Sequence, residues 1–520
     1  MSLSLAESMT RAASLAIGGE KEEALRELCG ACEAGLQSPK LYSAIGHLQF
    51  ELRHFQAAEK AYEKALRLEG SDSVTHYNRG VCLEKLEDWE NAAAAFRKAI
   101  ELDSRRASSY LGLGISQLHL GRYEEALSAF ENCLERQPFR EAALCGKAVA
   151  LQHLERRQEA SEIYQRLLAR DGRSEELLSN LTSLAMADGN WELLARCSAR
   201  LIEARPDSAI GLEAAALAEF ARHDFDAAFR FSSALVETHP DHFAGWLNCG
   251  LALQKLGFNE RAAAAYSHAA SLDPQSAEAF VSLGTALQET DQWEAAEAAY
   301  AEALVLIPNL REALWNLALV YEHNEDLRRA EALYSRMVDH YPDAQDAWFR
   351  LGYVRLLLGD LPASVRAFEA CLALPKKCPE ALLNIGVAHW RMRNIETAKE
   401  AFRQAVGSSA KSVKALHFLA AIALEHQDYE QALALHKQLL EVEGATSDLL
   451  YNLALLYQKR GRPAEAVRYY RQALASRADF PEALLNLGHA LMALGKHEEA
   501  QAAWQTALVG SADLAEKFLV

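Results

Sequence analysis

Within residues 277–310, apolar side chains fall at Phe280, Leu283 and Leu287, with Gly284 among them. The spacing of three, one and three lines one face of a helix. A second series, Ala296, Tyr300, Ala303 and Leu304, has the same period and stops near Pro308, whose ring and missing N–H oppose helix continuation. The pattern predicts a first helix of about 14 residues, a short turn and a second helix. Period-two strand patterns are absent throughout.

The same pattern returns every 34 residues without insertion or deletion, in fifteen copies starting at residues 5, 39, 73, 107, 141, 175, 209, 243, 277, 311, 345, 379, 413, 447 and 481. Its sharpest mark is a column running from Ala24 through Ala58 and Ala92 to Ala500, filled by alanine in 13 copies and broken by Leu194 and Ser364. A unit of this length cannot enclose its own core, so each copy must bury its apolar face against the next. The expected fold is therefore all-α, a solenoid of helix-turn-helix units forming one continuous array over 5–514, with 515–520 left as a cap or tail.

Local chemistry agrees with that unit. Gly121, Gly189, Gly257, Gly359, Gly461 and Gly495 stand at the turn between the helices, where a left-handed conformation costs glycine least. Pro138, Pro206, Pro240, Pro274, Pro308 and Pro342 mark the junctions between copies. Position 8 of the first helix is Gly or Ala in 14 copies, as in Gly46, Gly80, Gly114, Gly250, Gly284, Gly352, Gly386 and Gly488. Position 24 of the second helix carries a ring such as Tyr62, Phe96, Phe130, Tyr266, Tyr300, Phe368 or Trp504. Small residues opposite large ones are core packing. Between residues 175 and 240 the scheme lapses, with Thr182 at the small position, Leu194 at the alanine, and Ser198 and Ser232 at the ring. Packing there is expected to be looser or differently pitched.

Trp348, Leu351, Gly352, Ala330, Tyr334 and Pro342 occupy the signature columns of the tetratricopeptide repeat family, which this chain resembles over essentially its whole length. The resemblance implies a right-handed superhelix of antiparallel helix pairs, with the first helices lining a concave groove and the second helices facing outward. So long a gap-free array is most similar to the superhelical repeat domain of the O-linked N-acetylglucosamine transferase family. The catalytic domain of that family is missing from this chain, and no transferase activity is expected.

In the resembling family, positions 2, 5, 6, 9, 12 and 13 look into the groove. Position 6 is asparagine in seven copies: Asn78, Asn180, Asn248, Asn316, Asn384, Asn452 and Asn486. A primary amide both donates and accepts, so such a ladder can hold the backbone of an extended peptide whatever its sequence. The alternative is a bond to a neighbouring helix or to water. Positions 5 and 9 are unusually apolar for a surface, and Tyr77, Trp315, Phe349, Tyr353, Trp390 and Tyr451 are the candidate anchors along the groove. Burial between copies or against a second copy of the chain competes with that reading. A chaperone-tail clamp is not expected, since no copy has lysine at position 5 and Arg350 is a lone match.

Charge narrows the partners. The formal net charge is -18 and Lys376 and Lys377 make only a short basic pair, so nucleic acid is an unfavourable partner. Acidic residues two places into a copy, Glu278, Glu312, Asp346, Glu380, Asp448 and Glu482, complement a helix N-terminus. No apolar stretch is long enough for a membrane span, and the first residues make a poor secretory signal, so the expected location is cytoplasmic. Nine scattered cysteines suit a reducing compartment. Cys29 and Cys32 form an isolated CxxC pair, and His119 and His153 share position 13 without a completing ligand. With no phosphate loop, nucleophile elbow or HExxH helix, no cofactor, metal or catalysis is expected. The reading is a protein-interaction scaffold that takes a partner's peptide segment. Two alternatives stand beside it. One is a self-associating unit, a homodimer for example, suggested by the apolar end Phe518, Leu519 and Val520. The other is the substrate-recruiting partner of a separately encoded enzyme.

Overall fold

The computed structural model describes residues 4–170, 174–408 and 413–510, the last with backbone only at 509 and 510. The apolar end from Ser511 to Val520 lies outside the described residues. Among the described residues there are 30 helices and no strand. The first helices begin at Leu5, Pro39, Ser73, Ala107, Glu141, Glu175, Ala209, Phe243, Ala277, Arg311, Gln345, Pro379, Val413, Ser447 and Pro481; each packs on the second helix of its own copy, and all but those at Leu5 and Ala277 pack also on that of the copy before. Second helices stop two residues before each junction proline, at Arg136, Ala204, Thr238, Leu272, Leu306 and His340.

The chain divides into two compact units, 1–272 and 273–520. Within the first unit, one apolar cluster runs from Ala107 to Ala218 across four copies. Within the second, another runs from Ala398 to Ala503. Each unit is thus an α-solenoid whose core is shared between neighbours rather than enclosed by any copy.

Every copy makes the same turn. Position 15 is left-handed at the glycines already named and at Gly19, with φ of 71° at Gly121 and 84° at Gly359. It is equally left-handed at Arg53, Glu87, Glu155, His223, Asp291, Glu325, Arg393 and Gln427, with φ between 57° and 64°. An L-residue held there pays roughly 1–2 kcal/mol that glycine avoids, part of which returns as lost chain entropy in the unfolded state. Glu87→Gly is therefore expected to stabilise the protein by about 0.5–1 kcal/mol. Urea denaturation should show it, and a destabilised variant would contradict it.

The rings at position 24 are the keystones. Tyr62, Phe96, Phe130, Tyr300, Phe368 and Phe402 are each at most 1% exposed. Each lies flat on the small residue at position 8 of its own copy: a Cβ added at Gly114 would come within 2.6 Å of Phe130, and at Gly284 within 2.6 Å of Tyr300. The far edge of the ring meets position 6 of the next copy. A Cβ at Gly112 would lie 2.4 Å from Phe96 Cζ, and one at Gly146 only 2.3 Å from Phe130 Cζ. Position 6 is therefore part of the joint between these copies.

The irregular segment is sealed rather than loose at the substituted positions. Thr182, Leu194 and Ser232 are fully buried and Ser198 is 2% exposed. The hydroxyls donate to carbonyls of their own helices: Thr182 to Leu178 at 2.7 Å, Ser198 to Ala195 at 3.1 Å and Ser232 to Ala228 at 2.8 Å. Small polar residues fit a core when the helix backbone takes their hydrogen bonds.

Candidate functional site

Position 12, on the first helix, answers the ring at position 24. Tyr266 donates to Gln254 at 3.1 Å, Tyr300 to Gln288 at 3.1 Å and Tyr470 to Gln458 at 2.8 Å. Tyr334 donates to Glu322, whose other oxygen accepts from Arg350 at 3.2 Å. The lone chaperone-clamp match is thus committed to a bond within the fold.

Where the ring lacks a hydroxyl, position 12 loses its donor. Glu84 faces Phe96 in place of a tyrosine, its Oε1 is buried without a partner, and burial raises its carboxyl to about 7 against a small opposing pull from Lys85. A carboxyl that binds its proton more tightly folded than unfolded makes the fold more stable below its unfolded pKa. That stability is lost as pH rises from the ordinary range toward 7. Glu84→Gln is expected to remove this dependence. Melting temperatures of the variant and wild type should differ more at pH 8 than at pH 5, and an equal difference at both would refute the assignment.

The asparagine column serves two purposes. Asn180 and Asn316 sit against the hydroxyls of Tyr164 and Tyr300 in the preceding copies, and Asn486 donates to Tyr451 at 2.9 Å. Asn78, Asn248, Asn384 and Asn452 form no side-chain hydrogen bond among the described residues. The latter amides have no partner in the described fold for a ligand to displace.

Position 5 aromatics lean on the ring of their own copy. Centroid distances are 5.8 Å for Tyr77 on Phe96, 5.8 Å for Trp315 on Tyr334, 5.6 Å for Phe349 on Phe368 and 5.9 Å for Tyr451 on Tyr470. All four are half-buried, one side on the core and the other outward. Trp390, at position 12, packs edge-on against Phe418 at 5.7 Å, and its indole N–H is buried without a partner. Phe418 also stacks on Phe402 at 5.0 Å. Phe418 fills position 6 of its copy, so Trp390 sits in an inter-copy aromatic cluster.

One concavity gathers several candidates. A pocket of about 550 Å³ in the second unit is lined by Trp315, Phe349, Arg350, Tyr353, Leu383 and Asn384, with Asp346, Glu380 and Lys414 at its edge. These residues come from the first helices of four successive copies, 311 to 413. Trp315 also walls an adjacent pocket of about 290 Å³ with Asn316, Met337 and Ala347. Tyr353 is 37% exposed. In the first unit, Asn78 lines a more polar pocket with Lys40, Ser43, His47 and Asp72. Tyr77 carries Arg106 over its face at 5.5 Å. Tyr451 meets Phe480 at 4.8 Å, away from the Trp315 pocket.

The remaining polar candidates have structural partners. His119 stacks on Trp89 at 3.8 Å and His153 on Tyr123 at 4.3 Å, each ring coming from the second helix of the preceding copy. His323 on Trp293 repeats the contact at 3.7 Å. Cys29 and Cys32 are half-buried on one helix, and burial raises both thiols. No group of three or more His, Cys, Asp or Glu side chains among the described residues could hold a metal ion. No described helix is long and apolar enough to cross a membrane.

Family signatures described as the tetratricopeptide repeat match residues 43–107, 111–175 and, overlapping, 247–311, 282–339 and 316–381. Others of the same description match 379–412, 411–479 and 457–508. The unmatched stretch from 176 to 246 holds the copies with Thr182, Leu194, Ser198 and Ser232. No curated protein matches the chain. Among solved structures it is similar to the APC/C hetero-tetramer Cut9-Hcn1, at 16% identity over 89% of this chain and 98% of that one, TM-score 0.34. It is also similar to YrrB, a TPR protein with an unusual peptide-binding site, at 23% identity over 36% and 96%, TM-score 0.33. The structure of Naa15/Naa10 bound to HypK-THB is a third, at 15% identity over 96% and 80%, TM-score 0.35. Since the repeat signature recurs between residues 43 and 508 on helix pairs joined by one unchanging turn, the chain belongs to the tetratricopeptide repeat family.

Proposed function

We propose that this protein is an interaction scaffold that holds an extended segment of a partner protein against the first helices of the copies at 311, 345, 379 and 413. Tetratricopeptide repeats generally mediate protein–protein interactions, and the fold is typically non-catalytic. The observation that carries the finer reading is the pocket around Trp315. It offers apolar walls from Trp315, Phe349, Tyr353 and Leu383 beside Asn384, whose side-chain amide has no hydrogen-bond partner among the described residues. Side chains of the partner would enter between the rings while the amide pairs with its backbone.

The test is selection of binders from a displayed library of linear peptides on the full chain, followed by photo-crosslinking of the enriched peptides. Crosslinks are expected on helices Arg311–His323 and Gln345–Leu358. Crosslinks confined to second helices, or to the unit ending at residue 272, would overturn the assignment.

A further inference from the structure

Cys371 lies in the last turn of helix Leu361–Ala373, and Cys378 is the N-cap of helix Pro379–Arg391 in the next copy. Cys371 is fully buried, while Cys378 is half-buried and packs against the apolar cluster that contains Cys371. Both sulfurs thus belong to one packed cluster, and the Cys378 thiol also donates weakly to Glu380 Oε2 at 4.0 Å. The joint between them is clamped: the Gln345 side-chain amide donates to the Cys371 carbonyl at 2.9 Å and to the Lys376 carbonyl at 2.6 Å.

Repeat packing does not call for sulfur at either place. Position 27 is alanine at Ala31, Ala65, Ala99, Ala269 and Ala303, and position 34 is serine at Ser38, Ser174, Ser208 and Ser276. Cys133 also occupies position 27, but the residue seven places on is Arg140. Both positions are thiols in this copy alone, across a joint that brings them together.

We propose that Cys371 and Cys378 are a modification site: a dithiol that closes reversibly to a disulfide across the joint between the copies at 345 and 379 when a hydroperoxide is present. Cys378, the more exposed sulfur, attacks the peroxide oxygen; the O–O bond breaks, Cys378 becomes a sulfenic acid and one water leaves with hydrogen peroxide as oxidant. The Cys371 sulfur then forms the S–S bond as the S–O bond breaks and a second water departs with the thiol proton. Two electrons pass from the thiols to the peroxide. Burial, with Cys378 beside it, pushes the Cys371 thiol up to about 12, which fits Cys371 as the sulfur that resolves rather than initiates. The site is independent of the groove reading.

The full chain is treated with hydrogen peroxide near equimolar ratio, and free thiols are titrated before peptide mapping without reductant. The expected result is loss of two of the nine thiols, a peptide linked through Cys371 and Cys378, and recovery of both thiols with dithiothreitol. Cys378→Ser should abolish the rapid loss, and Cys371→Ala should leave a sulfenic acid on Cys378 that dimedone traps. Both substitutions restore residues that other copies already carry at these positions. A first disulfide at Cys29 and Cys32, or Cys378 oxidised to sulfinic acid in wild type while Cys371 stays titratable, would overturn the proposal.

Discussion

Phe402→Ala is expected to remove about 3–5 kcal/mol of stability, the usual cost of emptying a fully buried ring site. The ring is 0% exposed and lies against Gly386, where a Cβ would come within 2.5 Å of Cε1. It stacks on Phe418 of the next copy at 5.0 Å with the planes 3° apart. Collapse into the space is limited on both sides, because a helix backbone forms one wall and a second aromatic the other. In a quasi-one-dimensional stack, the loss should stay near the damaged interface. Hydrogen exchange should therefore accelerate in the helices Pro379–Arg391 and Val413–Glu425 while the unit ending at residue 272 keeps its protection. Uniform acceleration over the chain, or a loss under about 1 kcal/mol, would contradict the picture of rings as local keystones.

Trp315→Ala combined with Phe349→Ala is expected to weaken binding of peptides selected on the full chain by at least about 100-fold. Each aromatic truncation at a true hot spot costs about 2 kcal/mol or more, and such losses are not strictly additive. Both rings line the 550 Å³ pocket, and Trp315 walls its neighbour as well. Folding is expected to survive, because Tyr334 and Phe368, on which they lean, remain in place at 0% exposure. Tyr77→Ala is the matched control: the same position 5 contact in the other unit, made by a residue that does not line this pocket. Isothermal titration should separate the two variants, and affinities within threefold of wild type for the double variant would sink the anchor assignment.

Much of the fold was legible in the sequence because it is written in columns. The alanine step, the glycine turns and the junction prolines each concern contacts within one copy, and those repeat with the chain. What stayed hidden depends on pairs of positions read together, within one copy or across two. Whether Asn316 is free or bound turns on the hydroxyl of Tyr300 one copy earlier, and whether Glu84 has a donor turns on Phe96. A column read alone cannot contain that information. The turn at Glu87 or Asp291 was hidden for another reason, since the helices on either side impose a left-handed backbone on residues that do not advertise it. Among the groove candidates, Trp315, Phe349, Tyr353 and Asn384 come together, whereas Trp390 joins an aromatic cluster between copies.

The contact between a ring and position 6 of the following copy also bears on how such an array can change length. Losing residues 107–140 would bring Gly146 to Phe96, a ring still facing a glycine. Losing residues 141–174 would instead bring Asn180 to Phe130, where a Cβ has 2.3 Å of room beside Gly146 today. Every copy has 34 residues and the same turn, yet each is cut to fit its neighbour. Loss of a copy is therefore accommodated unchanged where the new pair is again ring and glycine, and obliges the ring to shift where it is ring and asparagine, a pair the chain already holds in Phe368 and Asn384.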